Sequence, residues 1–216
     1  MNRIDFLASL AKNSNTLLDI GCDHAYTLIK AIKEYGVKKG IAADISKYAL
    51  SMAYANIKKY DLLDKIEIVL SDGLDNINNE FDTAILSGMG GSLIIDIVSR
   101  GLDKLRGKRL IISSQSDQYL VRKFLSENDF YIVDEDAFYD NDKYYEVMVI
   151  SYGRMNYPSL DLKYGPILLK KRNEAFLNHL EKEKNNLILA LSNIKDENSK
   201  KEVTKKIKEI DVIIDD

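Results

Sequence analysis

Cysteine occurs once in this 216-residue chain, and proline and histidine twice each. A single thiol, Cys22, rules out an internal disulfide framework and fits a reducing compartment. The one run that could suggest a metal, Cys22-Asp23-His24, stands alone. Consecutive side chains rarely close one coordination sphere, and no partner pair occurs elsewhere, so no metal is expected. Long apolar runs are also missing: none approaches the roughly 20 residues that cross a bilayer. Residues 1–5, Met-Asn-Arg-Ile-Asp, lack the apolar stretch of a secretory signal. A cytoplasmic protein without a membrane partner is the expectation. Charge of one sign is scarce too, with a formal net charge of −3, so bulk charge does not advertise nucleic acid. The distribution is uneven. From Arg154 onward there are 13 Lys+Arg against 11 Asp+Glu, and before it 18 against 23, a mild hint of an anionic partner for the tail.

Apolar residues make up 45% of the chain, enough for a sizeable core. After a short lead-in helix over 5–12, strand and helix patterns alternate. Strands are expected over 16–20, 40–44, 66–70, 81–86 and 109–113, with helices over 26–35, 46–60, 92–105 and 118–128. Such alternation implies right-handed crossovers and a parallel sheet covered on both faces. Two further strands, 130–133 and 145–151, have only the polar segment 134–143 between them, which suggests a hairpin and one antiparallel strand. Residues 156–165 read as a linker. Beyond it the chain is helical: Leu177, Leu180, Lys184, Leu187, Leu191 and Ile194 alternate spacings of three and four. After a turn at 196–199, Val203, Ile207, Ile210 and Ile214 resume the pattern. Two antiparallel helices sharing a coiled-coil seam are predicted. The domains are therefore 1–153 and 154–216, and His179 is expected to be solvated on its charged helix.

The strand ends carry the chemistry. Asp19, Asp44 and Asp72 end the first three strands or lie just beyond them, and Gly88-Met89-Gly90-Gly91 follows the fourth. In a sheet ordered 3-2-1-4-5 these groups converge on one crevice at the switch point. Asp44 is placed to accept both ribose hydroxyls of a nucleoside, and Asp72 the exocyclic amine of an adenine. Asp19 and Gly21 let the chain approach a cationic ligand closely, because glycine has no Cβ to intrude. A dinucleotide is excluded. The Gly-x-Gly-x-x-Gly pattern would need glycines where Asp23 and Tyr26 stand, and an aspartate repels a pyrophosphate. A phosphate-free nucleoside with a positive centre fits, and S-adenosylmethionine is that cofactor. As residues alone, Cys22 is more ordinary as a small apolar filler than as a nucleophile.

The run Asp19-Ile20-Gly21-Cys22-Asp23-His24-Ala25-Tyr26, with Gly88-Met89-Gly90-Gly91, resembles the bacterial TrmK tRNA methyltransferases. Tyr145-Glu146-Val147-Met148-Val149 and Tyr164-Gly165-Pro166 match in order and spacing. The resemblance implies a class I, Rossmann-like α/β methyltransferase with a mostly parallel seven-stranded sheet and a C-terminal α-helical coiled-coil hairpin. It implies methyl transfer from S-adenosylmethionine to N1 of adenine 22 in tRNA, by a chain expected to be a monomer. The cofactor contacts it implies are Asp19, Gly21, Cys22, Asp44, Ile45, Asp72, Gly73, Gly88 and Met89. Asp23, His24, Tyr26 and Arg3 form the expected catalytic set, with Gly90 and Gly91 against the substrate. Residues 113–116, Ser-Ser-Gln-Ser, depart from the Gln-Pro-Asn form of relatives, which leaves Gln115 without an assigned role. A class I methyltransferase acting on another substrate, and a non-catalytic RNA-binding module of the same fold, are the competing readings.

Overall fold

The computed structural model describes residues 2–215. Helix α1 (Arg3–Leu10) leads into β1 (Thr16–Ile20), α2 (Tyr26–Glu34), β2 (Lys39–Asp44), α3 (Lys47–Lys59), β3 (Ile66–Leu70) and β4 (Thr83–Ser87). Then come α4 (Gly91–Arg100), α5 (Leu102–Leu105), β5 (Arg109–Ser113), α6 (Gln118–Glu127), β6 (Phe130–Asp140) and β7 (Lys143–Tyr152). The seven strands form one sheet ordered β3-β2-β1-β4-β5-β7-β6. The pairs from β3 to β5 are parallel, and β7 runs antiparallel to both β5 and β6. Successive residues of a strand face opposite sides of the sheet. Leu18, Leu86 and Ile112 accordingly pack with Ile94 and Val98 of α4, while Leu17, Ile85 and Ile111 pack with Leu7 of α1 and Leu28 of α2. With both faces covered, β1, β4 and β5 have no polar side to show, which is why they read as apolar runs.

The structure corrects the expected elements in four places. The turn expected over 196–199 comes earlier: the helix Glu174–Leu191 ends before Ile194, and 197–199 already belong to the helix Glu197–Asp215. The helix expected over 92–105 breaks at Gly101, where an added Cβ would come within 2.0 Å of Leu74 Cδ1. The linker at 156–165 contains a helix, α7 (Ser159–Tyr164). The segment 134–143 is mostly strand: β6 and β7 pair from Phe130↔Tyr152 to Asp140↔Lys143 with a bulge between Ile132 and Asp134. Their turn is Asn141-Asp142, both at positive φ (48° and 62°), a backbone that matches the twist of a tight hairpin.

The acids of β6 find partners far along the chain. Glu135 and Arg122 of α6 are each 1% exposed and bonded at 2.7 Å, and Arg122 also donates to Glu146 of β7 at 2.5 Å. Burial works against the Arg122 charge, but Glu146 and Glu135 outweigh it and raise its pKa. Gly165 (φ +93°) closes the chain over this group, because a Cβ there would lie 2.8 Å from Glu135 Oε2 and 2.9 Å from Arg122 Nη2. That contact explains the Tyr-Gly-Pro motif physically.

After α8 (Leu168–Lys171), α9 (Glu174–Leu191) and α10 (Glu197–Asp215) form the C-terminal pair. Phe176, Leu180, Ile210 and Ile213 are buried in a cluster that includes Ala137 of β6, so the root of the pair docks on the hairpin. Lys184–Asp211 (2.6 Å) and Lys206–Glu183 (2.5 Å) bridge the two helices. Arg172 donates to the carbonyls of Ile213 and Ile214, capping the C-terminal end of α10 with positive charge. His179 is not solvated as expected: its ring stacks on Tyr144 at 3.7 Å, and burial lowers its pKa.

Candidate active site

A cavity of about 510 Å³ opens at the carboxyl ends of β1, β2 and β4. Its walls include Arg3, Asp19, Gly21, Cys22, Asp23, His24, Tyr26, Asp44 and Gly88. Another cavity, about 580 Å³, lies away from these strand ends, between α6, α7 and the C-terminal pair.

The turn after β1 is built for close approach. Gly21 N–H and Cys22 N–H both donate to Ala43 O, at 2.8 and 3.1 Å, and tie the turn to the end of β2. Gly21 stands at φ +75°, where an added Cβ would lie 2.9 Å from Met89 Cε. Asp23 and Ala25 also hold positive φ (48° and 58°), a conformation that aspartate tolerates but that costs alanine about 1–2 kcal/mol. Strain of this kind gathers at functional sites. Ala25 caps α2 without a side-chain bond, which leaves the first-turn amides of that helix for a ligand or solvent. The Asp44 carboxylate accepts from Ser46 N–H at 2.8 Å and Asp23 N–H at 3.2 Å, so both its oxygens are oriented by backbone. Asn56 donates to His24 O at 3.0 Å and steadies the far side of the turn.

Asp19 is only 4% exposed. Burial pushes its carboxyl up to about 7; the Arg3 charge pulls it down, and the Asp44 charge adds to the rise. Burial, with Asp19 and Asp44 nearby, pushes the Cys22 thiol well up, so it is no nucleophile at neutral pH. His24 and Tyr26 stack at 5.8 Å with planes 24° apart, and Asp23 Oδ1 lies 3.5 Å from His24 Nε2. The set of carboxylate acceptors, hydroxyls and free helix amides fits an S-adenosylmethionine-like nucleoside with a cationic centre.

Six expected residues are not part of this wall. Asp72 instead binds Arg100 at 2.9 Å, in a group with Asp75 and Asp96. Gly73 is buried against α4: a Cβ there would lie 3.0 Å from Ile97. Gly91 allows α4 to touch α6, since its Cβ would meet Ser116 O at 2.6 Å and Asp117 Cβ at 2.8 Å. Gly90 sits beside Ser116. Met89 packs beneath Gly21 with its side chain partly in the core. Ile45 is 69% exposed. The structure adds Ile4, Thr27, Ser46, Tyr48, Ala49, Ser87 and Gln115 to the wall. Gln115 follows β5, the next strand end, and clamps the Gly88 turn: its Nε2 donates to Gly88 O at 2.8 Å and its backbone N–H to Met89 O at 3.0 Å. Its position one strand beyond β4 was the available signal.

This sheet order, with the cavity at its switch point, defines a Rossmann-like S-adenosylmethionine-dependent methyltransferase. More narrowly, the chain belongs to the TrmK family, tRNA (adenine(22)-N(1))-methyltransferase, whose sequence model matches residues 17–214. The tRNA (adenine(22)-N(1))-methyltransferase of Bacillus subtilis is 32% identical over 183 residues, 81% of this chain and 77% of that protein. A Streptococcus pneumoniae structure in complex with S-adenosyl-L-methionine has a TM-score of 0.91 at 29% identity, covering 99% of this chain and 100% of the other. M. capricolum TrmK, solved with S-adenosyl-homocysteine, has a TM-score of 0.88 at 27% identity, covering 99% and 96%.

Proposed function

We propose that this chain transfers a methyl group from S-adenosylmethionine to N1 of adenine 22 in tRNA. The observation that carries the reading is the acid-lined cavity at the ends of β1, β2 and β4, in a chain of this family. When bound, S-adenosylmethionine supplies an electrophilic methyl on a sulfonium. Asp44, held by two backbone amides, is assigned to the ribose hydroxyls. Asp19 and the Gly21 turn are assigned to the cationic end.

N1 of neutral adenine keeps its lone pair at pH 7, so the enzyme's task is positioning and electrostatics rather than deprotonation. Methylation leaves a cationic base, and the exposed Asp23 carboxylate is assigned to stabilise that charge as it develops. The His24–Tyr26 pair offers an aromatic face to a base taken out of its stack. Asp23→Ala should retain S-adenosylmethionine affinity by calorimetry and lose about 100-fold or more in methyl transfer. Full activity in that variant would sink the role of Asp23.

The tail is assigned to tRNA. Lys201, Lys205 and Lys208 lie on one exposed face of α10 and make no ion pair among the described residues. The protein acts as a cytoplasmic monomer, with 1–153 as catalytic domain and 154–216 as helical domain; light scattering at working concentration checks the monomer. Labelled S-adenosylmethionine and unmodified tRNA test the whole reading. Label recovered as 1-methyladenosine at position 22 is the expected result. Transfer to another substrate, or tRNA binding without transfer, would replace it.

A further inference from the structure

The β6–β7 hairpin is about twice as long as its neighbour in the sheet: 11 and 10 residues against the five of β5. Only Met148–Ile150 of β7 pairs with β5. Because β7 is antiparallel, its earlier residues run on past the carboxyl end of β5, the edge at which α/β sheets take their ligands. Ser113 at that end donates to Glu146 O at 2.9 Å, which fixes the direction of the overhang.

The overhang meets α1. Arg3 N–H donates to Asp140 Oδ2 at 2.9 Å. The Arg3 guanidinium carbon lies 5.6 Å from the centre of the Tyr145 ring, within range of a cation–π contact. Phe6, one turn along α1, packs on Phe138 at 4.7 Å, and Phe138 stacks on Tyr145 at 5.7 Å. On its other side the guanidinium covers the turn after β4: a Cβ on Gly88 would lie 3.4 Å from Arg3 Nη1.

We propose that Asp140 and Tyr145 are positioning residues for Arg3, and that the hairpin overhang thereby completes the active site by fixing one cation in the cavity wall. The group this cation serves is an anionic oxygen, either the carboxylate of the cofactor's methionine end or a phosphate of the RNA. That choice of ligands and the kinetic readouts rest on the function proposed above; the placement of Arg3 does not. Hydrogen bonding and charge can be separated at Asp140, since Asp140→Asn and Asp140→Ala remove the same charge but only the first keeps an acceptor for Arg3 N–H.

Expected results are a loss of about tenfold in kcat/KM for Asp140→Ala and less than about threefold for Asp140→Asn. Arg3→Ala should add nothing further in the Asp140→Ala background. A rise in the S-adenosylmethionine Kd by calorimetry identifies the carboxylate, and a rise in the tRNA KM the phosphate. A second readout needs no ligand: the carboxyl 13C titration of Asp19 in the free protein, assigned with Asp19→Asn. Asp19 faces Arg3 from α1, Asp44 from β2, and Cys22, Asp23 and His24 from its own turn. The Arg3 charge lowers its midpoint, so a displaced Arg3 raises it, whereas loss of the Asp140 charge alone would lower it. A raised midpoint in Asp140→Ala, restored in Asp140→Asn, supports the proposal. An unchanged or lowered midpoint in both, or additive losses in the double variant, overturns it. A wild-type protein that transfers no methyl to tRNA would refute the proposed function and leave the titration test standing.

Discussion

Burial raises the Asp19 carboxyl to about 7, which sets stability against function at a single side chain. An unfolded aspartate titrates near 3.8. Between about 3.8 and 7 the folded state holds the extra proton, so stability falls as pH rises through that window and stays lower above it. The full shift corresponds to roughly 4 kcal/mol, an upper bound on what ionised Asp19 costs the ligand-free fold. Asp19→Asn should therefore melt higher than wild type at pH 8, by an amount that shrinks toward pH 4; an equal difference at both pH values would contradict the raised carboxyl. A cationic ligand favours the ionised form. S-adenosylmethionine binding should tighten as pH rises through 7 in wild type and lose that dependence in Asp19→Asn, both measurable by calorimetry. Asp19 belongs to the legible half of the site: an acid ending an apolar strand is visible in sequence. Asp72 looked equivalent, yet Arg100 reaches it from α4, and nothing local to the strand signals a partner 28 residues away.

At the scale of elements, β1 to β5 were readable because each apolar run stops at an acid, a glycine or a serine. The β6–β7 hairpin and its antiparallel strand were readable too, but its length was not, because three consecutive acids, Asp134-Glu135-Asp136, imitate a turn. Their strand conformation depends on Arg122 before them and Lys171 after them, the latter 2.8 Å from Asp134. Glycines show the same division. Gly90 and Gly91 are indistinguishable in sequence, but only Gly91 is pressed against backbone of the next segment. Gly91→Ala should lower stability by about 1–3 kcal/mol through overpacking of α4 on α6, while Gly90→Ala changes it by less than about 0.5 kcal/mol; chemical denaturation ranks them. Equal effects would contradict the packing role of Gly91. Gly165→Ala combines a positive φ with intrusion on the buried Arg122–Glu135 pair, so it should lower stability by about 2 kcal/mol or more in the same denaturation series.

Over the whole molecule, the modest net charge of −3 conceals the three-lysine face of α10, which becomes apparent only once the helix is wound and its other lysines are seen to be paired. Lys200 and Lys206 are bridged to Glu197 and Glu183, whereas Lys201, Lys205 and Lys208, spaced four and three apart, share an exposed side. Deleting the tail is a poor test of its role. Its removal would strip Phe176 and Ile210 from the cluster with Ala137 and, if cut before Gly165, open the Arg122–Glu135 pair to solvent. Charge substitution leaves that packing in place. For a phosphate-tracking surface, each lysine removed lowers the slope of log K against log salt by about 0.7–0.9. Replacing Lys201, Lys205 and Lys208 together with alanine should thus flatten the slope for tRNA binding by about 2–3. The same variant should weaken binding across tRNA sequences alike and leave S-adenosylmethionine affinity and melting temperature at wild-type values. A slope that does not change would remove α10 from the RNA surface and return its lysines to an ordinary solvated face.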